Sequence, residues 1–109
     1  MTTTPLPTPQ IGDFIESRMV TDSTVYEIVK VTPSTITIRT TKDTSYTDTE
    51  NRSGNPYPCV WQGVAADPTG KKTVVRLRKD GTYRVDSWTA LRPAAVRDGN
   101  PCRFTDYRI

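Results

Sequence analysis

The sequence contains no histidine, the side chain that most often serves as a general base near neutral pH. Its absence excludes Ser-His-Asp and Cys-His nucleophilic systems. The sequence also lacks a glycine-rich phosphate-binding loop, and its two cysteines, Cys59 and Cys102, do not have the spacing of a metal site. We therefore expect a protein without enzymatic activity, without a cofactor and without a bound metal.

Acidic residues offer the remaining route to catalysis or metal binding. Asp43, Asp48 and Glu50 lie near one another in a polar stretch and are a candidate acid–base pair or divalent-cation site. The alternative, which we favour, is that they are solvated loop charges. Three other carboxylates lie among basic residues on or beside predicted strands and are expected to form surface ion pairs, namely Asp13, Glu16 and Glu27.

Long apolar runs are also missing. No segment approaches the length of a transmembrane helix, and the first ten residues, MTTTPLPTPQ, have neither the basic start nor the apolar centre of a signal peptide. We therefore expect a cytoplasmic protein without a membrane partner. In that compartment the two cysteines are expected to be reduced thiols, with a disulfide between them as the alternative.

The residues that are present favour β-structure. Of 109 residues, 34% are hydrophobic, and the apolar residues cluster in short β-branched runs beside abundant threonine. This length fits one domain with a small core. The formal net charge of +3 and the pI near 9.0 are compatible with a polyanionic partner, although net charge alone does not indicate one.

The clearest local signal is segment 73–85, TVVRLRKDGTYRV, in which two β-prone runs meet at Asp80-Gly81. An Asp-Gly pair in this context predicts a hairpin with a two-residue loop in which both residues take positive φ. Side chains alternate across a strand. The predicted inner face is apolar and consists of Val75, Leu77, Tyr83 and Val85. The predicted outer face consists of Val74, Arg76, Arg78, Thr82 and Arg84.

Three more strands are predicted before this hairpin, over 12–18, 24–31 and 35–40. Phe14 is the expected core residue of the first strand. Ile36 and Ile38 share one face of the third strand. Short turns separate these strands, so we expect an antiparallel meander.

The remaining segments complete a single β domain over 11–109, preceded by a proline-containing arm at 1–10 that is expected to be extended or disordered. A single helical turn is predicted over 87–91 and a last strand over 102–109. The fold predicted is all-β, either a small barrel or a strongly bent antiparallel sheet.

Residues 41–72 are predicted to form a long polar loop that contains at most a short strand at 60–64. Loops of this length in small domains commonly carry function. Three aromatic residues of the loop are candidates for contact with a protein partner or for stacking on bases, namely Tyr46, Tyr57 and Trp61. Trp61 is an equally good candidate for the core, and Trp88 is assigned to the core.

Several short motifs resemble small uncharacterised proteins carried by actinobacteria, their phages and their plasmids. They are Gly12-Asp13-Phe14, Asp22, Tyr26-Glu27-Ile28-Val29, Thr35-Ile36-Thr37-Ile38-Arg39, Leu77-Arg78-Lys79-Asp80-Gly81 and Tyr83-Arg84. The resemblance covers residues 11–85 and implies an origin in a mobile element such as a phage, without implying an activity. The order of strands also resembles SH3-like barrels of the Tudor and KOW kind, which bind nucleic acid, peptides or other proteins.

Two functions of different classes follow. In the first, which we favour, the protein is a phage or mobile-element accessory that binds a host or viral protein in the host cytoplasm through the 41–72 loop and a strand edge. A capsid or tail accessory is a variant of this hypothesis. In the second, the protein binds nucleic acid without sequence specificity through the phosphates. The basic candidates for that role are Arg39, Lys71, Lys72, Arg76, Arg78 and Arg84, with Lys79 at the hairpin end. An acidic protein surface is the other possible partner of this face, and solubility and protection of a strand edge would equally account for an outward row of charges.

Overall fold

A computed structural model describes residues 8–19, 22–50, 58–85 and 89–106. Within these ranges the chain forms eight β-strands and no helix. The strands are β1 (Phe14–Arg18), β2 (Ser23–Val31), β3 (Thr35–Glu50), β4 (Cys59–Ala66), β5 (Lys72–Arg76), β6 (Arg92–Pro93), β7 (Ala95–Arg97) and β8 (Asn100–Asp106). The all-β prediction is confirmed. Most of the predicted N-terminal arm lies outside the described residues.

The strands form one antiparallel sheet that nearly closes into a barrel. Their order is β6-β1-β2-β3-β4-β8-β7, and β5 pairs with β3 beside this path. The two ends of the path, β6 and β7, are consecutive pieces of one short segment, 92–97. This segment pairs with β1 through its first half and with β8 through its second half. It therefore joins the two edges of the sheet.

The predicted meander is present as β1, β2 and β3, which pair in sequence order. Ile28 lies opposite Ile38, and both are fully buried in the first hydrophobic cluster together with Ile36. The assignment of Phe14 to the core is wrong, because Ile15 is the buried residue, with 2% exposure, and Phe14 is half-buried. Alternation from the first residue of β1 turns Ile15 toward the cluster and leaves Phe14 at the surface.

The prediction of a loop over 41–72 is wrong for 41–50 and 59–66, which are strands. The short strand predicted at 60–64 lies within β4, and 51–57 lie outside the described residues. Strand β3 continues without a break to Glu50 and pairs with β4, from Thr41 opposite Ala66 to Glu50 opposite Cys59. Its register shifts between Asp43 and Thr47, a bulge that bends the strand. The second half of β3, 43–50, contains three threonines and Tyr46 among polar residues, so it has β propensity but no apolar period to reveal it.

A second hydrophobic cluster lies between β4 and β8. Trp61 and Phe104 are opposite each other in the ladder, and their ring centroids are 5.2 Å apart. Cys59 and Cys102 are fully buried in the same cluster. In the β4–β8 register Cys102 faces Gly63, four residues from Cys59, which separates the two Cα atoms by about 13 Å along the ladder. That distance is too long for a disulfide. The expectation of two thiols is confirmed, and burial raises the pKa of the Cys102 thiol.

The hairpin predicted over 73–85 differs from the one observed. Strand β5 pairs with β3, and the return segment meets it only at the bridge from Leu77 to Tyr83. The loop has three residues, and among them only Gly81 has positive φ, at 82°. Asp80 does not take positive φ because its Oδ1 accepts the N–H and the hydroxyl of Thr82, at 3.0 Å and 2.6 Å. Val75 and Tyr83 are buried as predicted, whereas Leu77 and Val85 are about two-fifths exposed.

The two-residue Asp-Gly turn occurs elsewhere in the chain. Asp98 and Gly99 have φ angles of 51° and 78° and join β7 to β8, the geometry that favours this pair in tight hairpins. The single helical turn predicted over 87–91 is absent from its described part, 89–91. Trp88 lies outside the described residues.

A buried carboxylate binds segment 92–97, which joins the two edges of the sheet. Glu16 is fully buried, and its Oε2 accepts the Nε–H of Arg92 at 3.1 Å. The Nε of Arg18 lies 2.8 Å from the same oxygen as an ion pair, although its N–H is not directed at the oxygen. The Oε1 accepts the backbone N–H of Ala95 at 3.0 Å, where segment 92–97 changes from one neighbour to the other. The expectation of a surface ion pair at Glu16 is therefore wrong.

Replacing Glu16 with Gln should destabilise the protein by about 2–4 kcal/mol, because two arginines lose their shared carboxylate in a buried position. Both arginines reach solvent, which places the loss below that of a fully enclosed pair. The matched control is Glu27→Gln, which removes a single pair with Arg39 and should cost about 1 kcal/mol. Urea unfolding of the three proteins measures both values. Equal losses for the two variants would contradict the special role of Glu16.

Candidate functional site

Strand β5 is an edge of the sheet. Within the described residues it pairs with β3 alone. The Lys71 carbonyl and the Leu77 N–H bond to the β3 side, at 3.0 Å and 2.8 Å, so odd-numbered residues direct their backbone groups toward β3. By alternation, the N–H and C=O groups of Lys72 and Val74 point away from the sheet. The segment that follows the 79–81 loop approaches this edge only beyond Arg76, at the bridge between Leu77 and Tyr83.

The side chains of Lys72, Val74 and Arg76 lie on one face of β5, and all three residues are exposed. Val74 has 65% exposure, whereas its neighbour Val75 has 4%. An exposed β-branched residue between two cations gives the edge an apolar centre with positive ends. This arrangement combines unpaired backbone groups with side chains able to choose a partner.

The arginines of the described chain fall into two groups. Six of them hold a carboxylate within salt-bridge distance, namely Arg18, Arg39, Arg84, Arg92, Arg97 and Arg103. The other two, Arg76 and Arg78, have no ion pair among the described residues, and neither do Lys71, Lys72 and Lys79 beside them. We call these five residues the cationic edge. It concentrates positive charge without an ion pair among the described residues, with Asp80 acting on Arg78 at one end.

The structure brings together four of the six basic residues proposed from the sequence, namely Lys71, Lys72, Arg76 and Arg78. The other two are occupied. Arg39 donates to Glu27 Oε1 at 2.6 Å across the β2–β3 ladder. Arg84 donates to Thr82 Oγ1 at 3.3 Å and lies 3.6 Å from Asp80. The sequence pattern could not separate the occupied from the unoccupied cations, since the carboxylate partner of Arg39 is set by strand register.

The aromatic candidates do not form an exposed surface at this edge. Trp61 has 6% exposure and packs under the guanidinium of Arg97, whose central carbon is 5.0 Å from the ring centroid. The hydroxyl of Tyr46 donates to Asp98 Oδ2 at 2.7 Å. Both side chains belong to the β3–β4–β8 part of the barrel. Tyr57 lies outside the described residues.

The acidic candidates lie on strand β3 and are ion-paired, so their assignment to a loop is wrong, although their side chains stay partly exposed to solvent. Asp43 accepts two hydrogen bonds from Arg103, at 3.0 Å and 2.9 Å, and these bonds lower the pKa of that carboxyl. Arg97 bridges Asp48 and Glu50, at 3.0 Å and 3.5 Å. The described part of the chain holds no group of three or more Cys, Asp or Glu side chains arranged for a metal ion.

Two surface depressions were not predicted. An apolar groove of about 400 Å³ follows the barrel seam, lined mainly by Phe14, Pro93, Val96 and Pro101. A polar crevice of about 250 Å³ lies between β2, β3 and β8 beside the Asp43–Arg103 pair. Each is assembled from segments far apart in the chain, so local sequence patterns give no signal for them.

No family model, curated protein or solved structure matches this chain. In the ranges that the structure describes, no helix has the length and apolar character needed to cross a membrane.

The phenol of Tyr46 should ionise with a pKa of about 12, because its hydrogen bond to the Asp98 carboxylate favours the protonated form. A folded-state pKa above the ordinary value of 10.0 means that this stabilisation is complete below pH 10 and is lost as the pH rises toward 12. The difference in absorbance at 295 nm between the wild type and Tyr46→Phe isolates this titration.

Asp98→Asn is the matched control, because asparagine also accepts the left-handed backbone at this turn. It should bring the Tyr46 midpoint back toward 10, with near-ultraviolet circular dichroism showing that the fold persists. A wild-type midpoint near 10 would show that the bond to Asp98 does not form in solution.

Proposed function

We propose that this protein is a non-enzymatic binding module that takes an extended segment of another protein as an additional strand along β5. The observation that supports this proposal is the outward-facing backbone at Lys72 and Val74, on a strand with one described neighbour. Unpaired N–H and C=O groups in a row are a template for a second chain, which supplies the complementary groups of its own backbone. Binding of this kind requires no loop and no catalytic group.

The geometry favours a protein over nucleic acid as the partner. The cationic edge would attract phosphates, but outward backbone groups of a strand match the backbone of a peptide. Single-stranded nucleic acid is commonly held by aromatic side chains on which bases stack. The described aromatic candidates, Trp61 and Tyr46, are buried or bonded to Asp98 away from β5.

The sequence resemblance to proteins of actinobacteria and their mobile elements supports a host or viral protein as the partner, met in the host cytoplasm. A capsid or tail protein is included in this class. The contact surface differs from the one expected from the sequence, because 41–50 and 59–66 are strands of the barrel. Of the contact surface expected from the sequence, the proposal keeps the strand edge.

The test is the variant Val74→Pro, which removes one outward N–H without removing a bond to β3, since the Val74 N–H does not point to that strand. Proline is tolerated at such edge positions. Tagged wild type and variant are used to capture proteins from nuclease-treated actinobacterial lysate. We expect a protein retained by the wild type at high salt to fall at least tenfold with the variant.

Val74→Thr is the matched control, because threonine keeps the N–H and the β propensity while shortening the apolar contact. It should retain the captured protein within a few-fold, and thermal unfolding should show that both variants are folded. Equal capture by Val74→Pro would place the contact elsewhere. Retention of nucleic acid alone, lost on nuclease treatment, would favour the phosphate-binding function instead.

A further inference from the structure

We infer that the segment bound along β5 is acidic, with two carboxylates flanking an apolar residue in an alternating pattern, acid-x-apolar-x-acid. This inference depends on the proposed function and specifies the chemistry of its partner. It follows from the register that β5 imposes, the charges that this edge leaves unpaired and the exposure of Val74.

The register comes from the backbone. An incoming strand bonded to the outward groups of Lys72 and Val74 places one residue directly opposite each of them. Side chains directly opposite lie on the same face, and the next position on that face is two residues along. When an apolar residue of the incoming strand lies opposite Val74, the next residue on its face lies opposite Lys72 in one direction. In the other direction the next residue lies beside Arg76, where the unpaired part of the β5 edge ends.

The charges select carboxylates at those two positions. Lys72 and Arg76 have no ion pair within the described residues, whereas Arg39, opposite Lys72 on β3, is neutralised by Glu27 at 2.6 Å. Lys71 and Arg78 add further positive charge at the two ends, where the Asp80 carboxylate offsets part of the charge of Arg78. A guanidinium that binds one carboxylate in a forked geometry favours an acid beside Arg76.

The same charges disfavour a second copy of this chain as the partner. Two β5 strands paired antiparallel about Val74 would bring Lys72 of one copy beside Arg76 of the other, twice. Like charges directly opposite in a sheet are destabilising. The edge therefore rejects its own copy and accepts a segment of opposite charge.

The apolar centre is set by Val74. Its 65% exposure leaves a β-branched side chain in solvent between two cations, in line with Thr37 on the neighbouring strand. A valine or isoleucine opposite it would cover this surface. A polar residue there would leave Val74 in contact with water and lose the cross-strand contact.

The experiment titrates the full-length protein, labelled with ¹⁵N, with two capped peptides of the same composition. One is Thr-Glu-Thr-Val-Thr-Glu-Thr, which has both acids on the face of the valine. The other is Thr-Glu-Glu-Thr-Val-Thr-Thr, which has one acid on that face. We expect the first to bind about fivefold more tightly, with the largest shifts at the amides of Lys72 and Val74.

A charge exchange provides the second test. Lys72→Glu/Arg76→Glu should bind the first peptide at least tenfold more weakly and should bind its lysine counterpart, Thr-Lys-Thr-Val-Thr-Lys-Thr, in its place. The matched control, Lys30→Glu/Lys42→Glu, makes the same change in net charge at exposed lysines outside β5 and should keep the preference for the acidic peptide.

The outcomes separate the two proposals. If both acidic peptides bind equally well at β5, the acidic register is wrong while strand addition stands. If backbone N-methylation of the first peptide leaves its affinity unchanged, the contact is purely ionic and strand addition is wrong. If the peptides produce no shift at β5 up to millimolar concentration, both proposals fail.

Discussion

The barrel depends on a single buried carboxylate at the place where its sheet closes. Segment 92–97 must leave β1 and join β8 within a few residues, and Pro93 has no N–H to contribute to a continuous ladder. Glu16 bridges this interruption by accepting the Ala95 N–H and holding Arg18 and Arg92. Removing one partner of a buried ion pair leaves an uncompensated charge, so the cluster favours the arrangement in which segment 92–97 contacts both β1 and β8. Closure in turn leaves β5 outside the ring, beside the first half of β3.

Closure of the barrel also organises the surface charge. Arginine–carboxylate pairs lie along the seam at Glu16, across β2 and β3 at Glu27, and on the second half of β3 through Arg97 and Arg103. Each pair neutralises a cation that would otherwise be free. The five residues of the cationic edge have no ion pair within the described chain, although the charge of Arg78 acts on the nearby Asp80 carboxylate. The small net charge of +3 therefore conceals a localised positive surface.

The parts of this fold that could be predicted are the strands in which apolar and polar residues alternate. Ile36 and Ile38 alternate with polar residues, and their strand and its buried face were predicted correctly. The second half of β3 could not be recognised, because its polar residues give β propensity without an apolar face. Asp80-Gly81 and Asp98-Gly99 show the limit of a dipeptide signal, since the same pair forms a three-residue loop in one place and a two-residue turn in the other. The burial of Glu16 depends on Arg92 and Ala95, more than seventy positions away.

The predictability of the cationic edge has the same origin. Alternation along the segment that begins with β5 predicts Arg76 and Arg78 on one face. The sequence also groups Arg39 with them, because alternation does not reveal that a carboxylate on another strand pairs with Arg39. An exposed edge needs charge to prevent pairing with its own copies, and lysine alone meets that need. The two arginines of the cationic edge add a rigid fork of donors suited to carboxylates, while the other six described arginines hold carboxylates of the same chain. Protection from self-pairing and the proposed recognition of an acidic strand therefore have one physical origin, because both follow from the sign of the charge placed beside an open backbone.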